Sequence, residues 1–167
     1  WRLIESGPGS AIYKTIDGGA SWTKLAKDLP EGITGGIGFD IYRADPSIVY
    51  AIIENARGGG VFRSEDRGAT WRKMSDLNSR PMYYSQIRID PNNDQRIWQL
   101  AANMFTSGDG GKTWSQNVVT PIHGHYHALW INPANSDHML AGSEHQMVGV
   151  DLGMRLDRRR SVVRAPR

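Results

Sequence analysis

An eight-residue phrase occurs three times along the chain and constrains the fold more than any other feature. Its copies run from Thr15 to Trp22, from Ser64 to Trp71 and from Ser107 to Trp114, each with the pattern Ser/Thr, any, Asp, any, Gly, any, Ser/Thr, Trp. Successive copies begin 49 and 43 residues apart. A period of this size is typical of a repeat architecture in which every unit has the same supersecondary structure.

Two further features follow this period. Asp151 lies 42 residues after Asp109 and is followed by Gly153, which predicts a degraded fourth copy that lacks the Ser/Thr residues and the tryptophan. An Asp-Pro or Asn-Pro pair also precedes each later copy, by 21, 19 and 19 residues, but not the first copy, so we expect the sequence to begin inside a repeat. These pairs are Asp45-Pro46, Asp90-Pro91 and Asn132-Pro133.

Between these features the sequence is β-rich and divided by turns. The third unit has an alternating segment from Tyr84 to Ile89, followed by apolar segments near 96–101, 103–107 and 114–118. Four short strands in about forty residues, repeated along the chain, are typical of a β-propeller blade. The sequence therefore predicts an all-β propeller of four-stranded antiparallel blades, of which this chain holds about 3.75.

The same features predict where the blades begin and end. We expect an incomplete first blade, three further blades, and a basic tail that is atypical or disordered. Their ranges are 1–27, 33–76, 81–119 and 123–154 for the blades, which together form the propeller region 1–154, and 155–167 for the tail.

Each phrase is well suited to close the turn between the third and fourth strands of a blade. Its glycine adopts positive φ at little cost, its aspartate accepts hydrogen bonds from the turn amides, and its tryptophan packs at the start of the outer strand. We therefore assign a structural role to the aspartates and tryptophans rather than a catalytic one. These residues are Asp17, Trp22, Asp66, Trp71, Asp109 and Trp114.

The phrase resembles the Asp-box, or BNR repeat. The segment from His127 to Ser143 (HALWINPANSDHMLAGS) is similar to the propellers of sortilin-like (VPS10) and glycoside-hydrolase-like bacterial proteins. The resemblance extends to about Val150 and implies a fragment of about four blades from a larger ring, since Asp-box families usually have six or more. It also implies a secreted or periplasmic location, and a function among those such propellers host: sialidases, xyloglucanases, receptors and assembly factors.

The partial ring and the composition of the chain indicate which kinds of partner to expect. The open blade edges of a partial ring expose unpaired strand groups, so we expect a homo-oligomer, for example two chains that complete one ring. No window of 18 apolar residues predicts a membrane span. The net charge of +3 includes +5 in residues 155–167, which leaves −2 (3 minus 5) on the rest, so nucleic acid is not an expected partner. The absence of cysteine excludes disulfides and thiol chemistry.

The Asp/Asn-Pro pairs also align the first strands, which line the channel of a propeller. This alignment makes Asp40, Ser85 and His127 equivalent, with Tyr83 and His125 two residues earlier in their own units. Strand alternation places His123, His125 and His127 on one side of an extended segment, near Glu144 and Asp40. This is the densest polar constellation in the sequence.

Two functions remain open for this constellation. In the first, the protein is a hydrolase: His125, His127, Asp40 and Glu144 assist attack of water on a lactone, ester or glycoside. His123, His125 and His127 would hold zinc, whereas calcium would require oxygen ligands such as those of Asp40 and Glu144. In the second, the propeller binds a carbohydrate or a protein without catalysis, through aromatic side chains.

Four residues are candidates for contact with the substrate or ligand. They are Tyr83, Tyr84, Tyr126 and Arg57. Arg57 is the only arginine expected on the loops of this face, because Arg43 and Arg88 lie at the far ends of their strands. Sialidase chemistry, which the resemblance associates with three arginines and a tyrosine, therefore fits this sequence poorly.

Overall fold

A computed structural model describes residues 5–117, 124–144 and 147–151, and every regular element in these ranges is a β-strand. The strands form four antiparallel sheets, and within each sheet neighbouring strands are consecutive in the chain. This architecture confirms the predicted all-β propeller, with blades that meander from strand to strand. The described residues contain no helix long and apolar enough to cross a membrane.

Thirteen strands are present in the described ranges, and each sheet is called a blade. Blade 1 contains β1 (Ile12–Lys14) and β2 (Thr23–Leu25). Blade 2 contains β3 (Thr34–Ile41), β4 (Val49–Asn55), β5 (Gly60–Ser64) and β6 (Arg72–Ser75). Blade 3 contains β7 (Gln86–Asp90), β8 (Asn93–Leu100), β9 (Met104–Ser107) and β10 (Ser115–Asn117). Blade 4 contains β11 (Tyr126–Ile131), β12 (His138–Ser143) and β13 (Met147–Asp151). The predicted tail, 155–167, lies outside the described residues.

The hydrophobic core lies between the blades in three separate clusters, because strand side chains alternate between the two faces of a sheet. On β4, Ala51 and Ile53 pack in one cluster with Ile12 of blade 1. Tyr50 and Ile52 of the same strand pack in the next cluster with the isoleucines of blade 3. Each inner blade is therefore apolar on both faces and must be covered on both sides.

The three phrases form turns of the same design. In the second turn the Asp66 carboxylate accepts hydrogen bonds from the Thr70 N–H at 2.8 Å, from its Oγ1 at 2.5 Å and from the Ser64 hydroxyl at 2.8 Å. Asp17 and Asp109 accept the same set of bonds in their own turns. The aspartate thus replaces the missing backbone partners of a tight turn.

These turns also join consecutive blades. Gly68, at φ +83°, leaves room for Leu25 of blade 1, since a Cβ there would lie 2.8 Å from Leu25 Cδ1. Trp71 is buried among residues of blades 1 and 2, and its indole N–H donates to the Gly68 carbonyl. The third turn repeats this arrangement on blade 2, where the Trp114 indole N–H also donates to the Ser75 hydroxyl at 2.9 Å. Each of these two turns packs on the preceding blade.

The predicted fourth copy is displaced by one residue. In blade 2 the turn before β4 closes on the Ile48 carbonyl, and the corresponding turn of blade 4 closes on the His138 carbonyl. Ser64 lies opposite the residue after Ile48, whereas Asp151 lies opposite His138 itself. Asp151 therefore occupies the position after the phrase serine and not the position of the aspartate. Without the Ser/Thr and Trp residues, spacing alone could not detect this shift.

We expect Gly68→Ala to lower the thermal stability measurably, because alanine at positive φ costs about 1–2 kcal/mol and its Cβ meets Leu25. Gly108→Ala, within the third phrase, is the control, since its φ is not in the left-handed region and a Cβ there has open space. Thermal denaturation followed by circular dichroism compares the two variants. Equal melting temperatures would contradict the docking of the turn on blade 1.

The second turn also predicts an acid dependence. Hydrogen bonds from Thr70 lower the pKa of Asp66 from its ordinary value of 3.8 to about 2. Because the folded pKa lies below the unfolded one, the contribution of this carboxylate is complete above about pH 3.8 and is lost as pH falls toward about 2. Asp66→Asn should therefore melt below the wild type at neutral pH, with a difference that shrinks across this window. Asp28→Asn, at an exposed aspartate outside the three phrases, is the matched control for the loss of one carboxylate.

Candidate functional site

One carboxylate of blade 4 is the centre of a polar cluster at the junction with blade 3. Glu144 Oε1 accepts a hydrogen bond from the Tyr83 hydroxyl at 3.3 Å and lies 3.3 Å from His127 Nε2. Its second oxygen, Oε2, lies 3.2 Å from His125 Nδ1. Four of the residues predicted from the sequence thus meet through a single side chain.

The backbone around β11 brings the two imidazoles together. His125 has φ +72°, in the left-handed region, and its N–H donates to the Ala102 carbonyl of blade 3 at 3.0 Å. A β-bulge follows between Tyr126 and Ala128, and the Glu144 N–H donates to the His125 carbonyl at 3.3 Å. The prediction of an extended segment is therefore wrong at His125. Bulges of this kind redirect side chains, and here both imidazoles still contact Glu144.

The electrostatics of the cluster favour an ionised carboxylate. The hydrogen bond with His127 and the charge of His125 lower the pKa of Glu144 below its ordinary value. The three side chains remain about one third exposed, at 33%, 35% and 36% for Glu144, His127 and His125. Glu144 can therefore accept hydrogen bonds from neighbours that solvent and a ligand can reach.

Two tyrosines of blade 3 form an aromatic wall beside the imidazoles. The Tyr84 ring lies 5.3 Å from the His127 ring and 4.9 Å, edge to face, from the Tyr83 ring. Tyr84 is buried, its hydroxyl has no hydrogen-bond partner among the described residues, and burial raises its pKa. The Arg80 guanidinium lies 5.9 Å from the centre of this ring. Sequence reasoning missed Arg80, because it lies in a link between blades that carries no periodic signal.

Asp40 does not belong to this cluster. Its carboxylate accepts hydrogen bonds from the backbone N–H of Ile41 and of Ile89, each at 2.9 Å. By strand pairing its counterparts are Arg88 and Trp130, at the opposite end of the first strands from His127. The alignment failed because the proline pair does not keep a fixed distance from the strand pairing. Seven residues are enclosed by each of the equivalent cross-strand pairs, which are Ile41↔Val49, Ile89↔Ile97 and Ile131↔Met139. The proline pair begins four residues after the first-strand residue of this pairing in blade 2 but directly after it in blades 3 and 4.

Two predicted ligand contacts also lie elsewhere. The Arg57 side chain, in the β4–β5 loop, lies beside Gly32 of the link between blades 1 and 2, since a Cβ on Gly32 would be 3.8 Å from Arg57 Cδ. Tyr126 is buried in the hydrophobic cluster between blades 3 and 4, where burial raises its pKa. Strand alternation turns Tyr126 inward, away from the side on which its neighbour His127 lies.

The second carboxylate on this face is Glu54, at the end of β4. Its Oε2 accepts a hydrogen bond from the Gly36 N–H at 2.8 Å. Gly36 also adjoins the Ser85 hydroxyl, which donates to the Pro81 carbonyl. Glu54 therefore supports the start of β3, and no described contact links it to Glu144.

The metal prediction involves a residue that the structure does not describe. His123 lies outside the described ranges, as does His145. Within those ranges, no group of three or more histidine, aspartate or glutamate side chains is placed to hold a metal ion. His125 and His127 instead share the Glu144 carboxylate.

Comparison with known proteins gives the fold. No protein-family model matches the sequence, and no curated protein matches it. The structure resembles a GH74 enzyme from Niastella koreensis with a TM-score of 0.58 and 13% identity, over 79% of this chain and 23% of that chain. It resembles an ancestral GH74 enzyme with a TM-score of 0.60 and 12% identity, over 84% of this chain and 20% of that one.

A third match comes from a different kind of protein. YCF48 from Cyanidioschyzon merolae aligns with a TM-score of 0.51 and 19% identity, over 70% of this chain and 34% of that one. The chain thus spans between 20% and 34% of the length of these three structures. The shared feature is the propeller fold, of the kind that glycoside hydrolases use.

The left-handed backbone of His125 predicts that a glycine variant at this position is more stable than an alanine variant. His125→Gly and His125→Ala both remove the imidazole, but only glycine adopts φ +72° without strain. We expect the glycine variant to be more stable by about 1 kcal/mol. Chemical denaturation measures the difference. A glycine variant no more stable than the alanine variant would contradict the backbone conformation at this site.

Proposed function

We propose that the cluster around Glu144 is a hydrolytic site that acts on an ester or lactone. The observation that carries the proposal is the contact of one ionised carboxylate with two partly exposed imidazoles and a tyrosine hydroxyl. A carboxylate bonded to imidazole fixes its tautomer and stabilises the imidazolium, which is the arrangement that general-base hydrolysis requires.

His127 is the proposed base. With its Nε2–H donated to Glu144, the Nδ1 atom carries the lone pair that accepts a proton from the attacking water. The water oxygen bonds to the carbonyl carbon, and the resulting tetrahedral intermediate breaks its bond to the alkoxide. The His127 imidazolium returns its proton to that alkoxide, so one water and one ester give one acid and one alcohol.

The tyrosines are the proposed hydrogen-bond donors to the substrate. The raised pKa of Tyr84 keeps its hydroxyl protonated, and a buried hydroxyl without a partner gains stability when it meets an acceptor. Tyr83 is more exposed and already donates to Glu144, so it would orient the substrate at the rim. A developing oxyanion is the acceptor that such donors stabilise most.

A divalent cation remains an alternative source of the nucleophile. Zinc on His123, His125 and His127 would lower the pKa of a bound water and replace His127 as the base. The same residues then serve as ligands, so sensitivity to a chelator distinguishes the two mechanisms.

Binding without catalysis is the second candidate function. The exposed ring of Tyr83, packed at right angles to Tyr84, offers an aromatic surface for a sugar or a peptide side chain. A YCF48 structure bound to D1 peptide aligns with a TM-score of 0.50 and 15% identity, over 80% of this chain and 45% of that chain. A propeller of this fold can therefore present a peptide-binding surface.

The decisive experiment assays the full chain on a panel of aryl esters, lactones and aryl glycosides, with and without a chelator. We expect ester or lactone turnover that persists with the chelator. His127→Ala and Glu144→Gln should each lower kcat/KM, by about 10²- to 10⁴-fold for the loss of the base. His138→Ala, at the opposite end of β12, is the matched control and should retain full activity.

Each other result has a defined meaning. Loss of turnover with the chelator would replace the histidine base with a metal. Turnover restricted to glycosides would overturn the substrate class. No turnover, together with saturable binding of an oligosaccharide or peptide that Tyr83→Ala abolishes, would establish the binding function instead.

A further inference from the structure

Blade 4 exposes large apolar side chains on the face that the next blade covers in blades 2 and 3. Strand pairing makes Leu140 the counterpart of Tyr50 and Trp98, both of which are 0% exposed, whereas Leu140 is 44% exposed. Met147 is the counterpart of Val61 in the same way and is 73% exposed. The next blade covers these positions in blades 2 and 3. We call Trp130, Leu140 and Met147 the trailing face.

Blade 1 exposes large apolar side chains on its other face, the one that packs on the preceding blade in blades 2 and 3. Trp22 is 61% exposed, although its counterpart Trp71 is 5% exposed because it packs on the preceding blade. Tyr13, two residues before the first phrase, is likewise exposed. Its counterpart Phe62, two residues before the second phrase, is buried. We call Tyr13 and Trp22 the leading face.

The two interior junctions show how a leading face meets a trailing face. At the junction of blades 2 and 3, a Cβ on Gly111 would lie 3.3 Å from Val61 and 3.5 Å from Met74. Trp114 packs on the same cluster and donates to Ser75. Met147 occupies in blade 4 the position that Val61 has in blade 2, so the trailing face can receive a phrase turn in the same way.

We propose that two copies of this chain associate head to tail, with the phrase Thr15 to Trp22 of one copy on the trailing face of the other. A second copy is the occupant because the described residues of a single chain carry both complementary faces, and each of these faces is exposed among them. The contact is heterologous, and two such contacts close a ring. The described residues of two copies supply eight sheets, which lies within the usual four to eight blades of a propeller. The proposal is independent of the hydrolytic site.

The test compares two face variants with a control by light scattering across a dilution series. Trp22→Glu disrupts the leading face and Met147→Glu disrupts the trailing face. Met82→Glu changes an equally apolar residue that is 56% exposed but lies on neither face. We expect a two-chain mass for the wild type and Met82→Glu, and a one-chain mass for each face variant.

A mixture of the two face variants identifies the geometry. Each retains the face that the other lacks, so an equimolar mixture has one intact contact and should regain the two-chain mass. Circular dichroism confirms that each variant is folded. A one-chain wild type at every concentration would overturn the proposal. So would a mixture that stays monomeric, or dissociation by only one of the two variants, which indicates a contact between identical faces.

Discussion

The structure depends on the packing of each phrase tryptophan against the blade before it. Trp71 fills the space between blades 1 and 2, and Trp114 does the same between blades 2 and 3. The turn can deliver the indole only because its aspartate satisfies the backbone and its glycine permits a close approach to the preceding blade. The hydrogen bonds within the turn and the packing between blades are therefore both needed for one blade to dock on the preceding one. This explains why the repeat is conspicuous in the sequence.

The polar contacts between adjacent blades differ in burial at the two ends of the strands. At the end with the phrase turns, buried polar groups connect adjacent blades: Arg63 of blade 2 bonds to Asp94 of blade 3, and Asp90 of blade 3 accepts a hydrogen bond from the Ser136 hydroxyl of blade 4 at 2.5 Å. Side chains that are 6% and 1% exposed anchor these contacts. The opposite end lacks such buried pairs at Glu144, whose contacts are one third exposed. One end therefore fixes the blades, while the other leaves ionisable groups accessible.

The sequence predicted the parts of the molecule that its repeat controls, and it failed where conformation departs from the repeat. The phrases give the blades and the turns, and the sequence placed His125, His127 and Glu144 near one another. In the structure a left-handed residue and a β-bulge, not strand alternation, bring the two imidazoles to Glu144. Asp40 was misplaced because a proline pair can move within a link of constant length without changing the strands around it. The left-handed backbone of His125 was equally hidden, since no residue type in that position requires it.

Local features that reduce stability coincide at the Glu144 cluster. His125 adopts a backbone conformation that glycine would accept more easily, and Tyr84 buries a hydroxyl that has no hydrogen-bond partner within the described part of the chain. Both features lower stability, and both lie within reach of the same carboxylate. Local costs of this kind persist most readily where the side chains have another role. The energetics of the fold and the chemistry of the cluster therefore point to the same end of the blades.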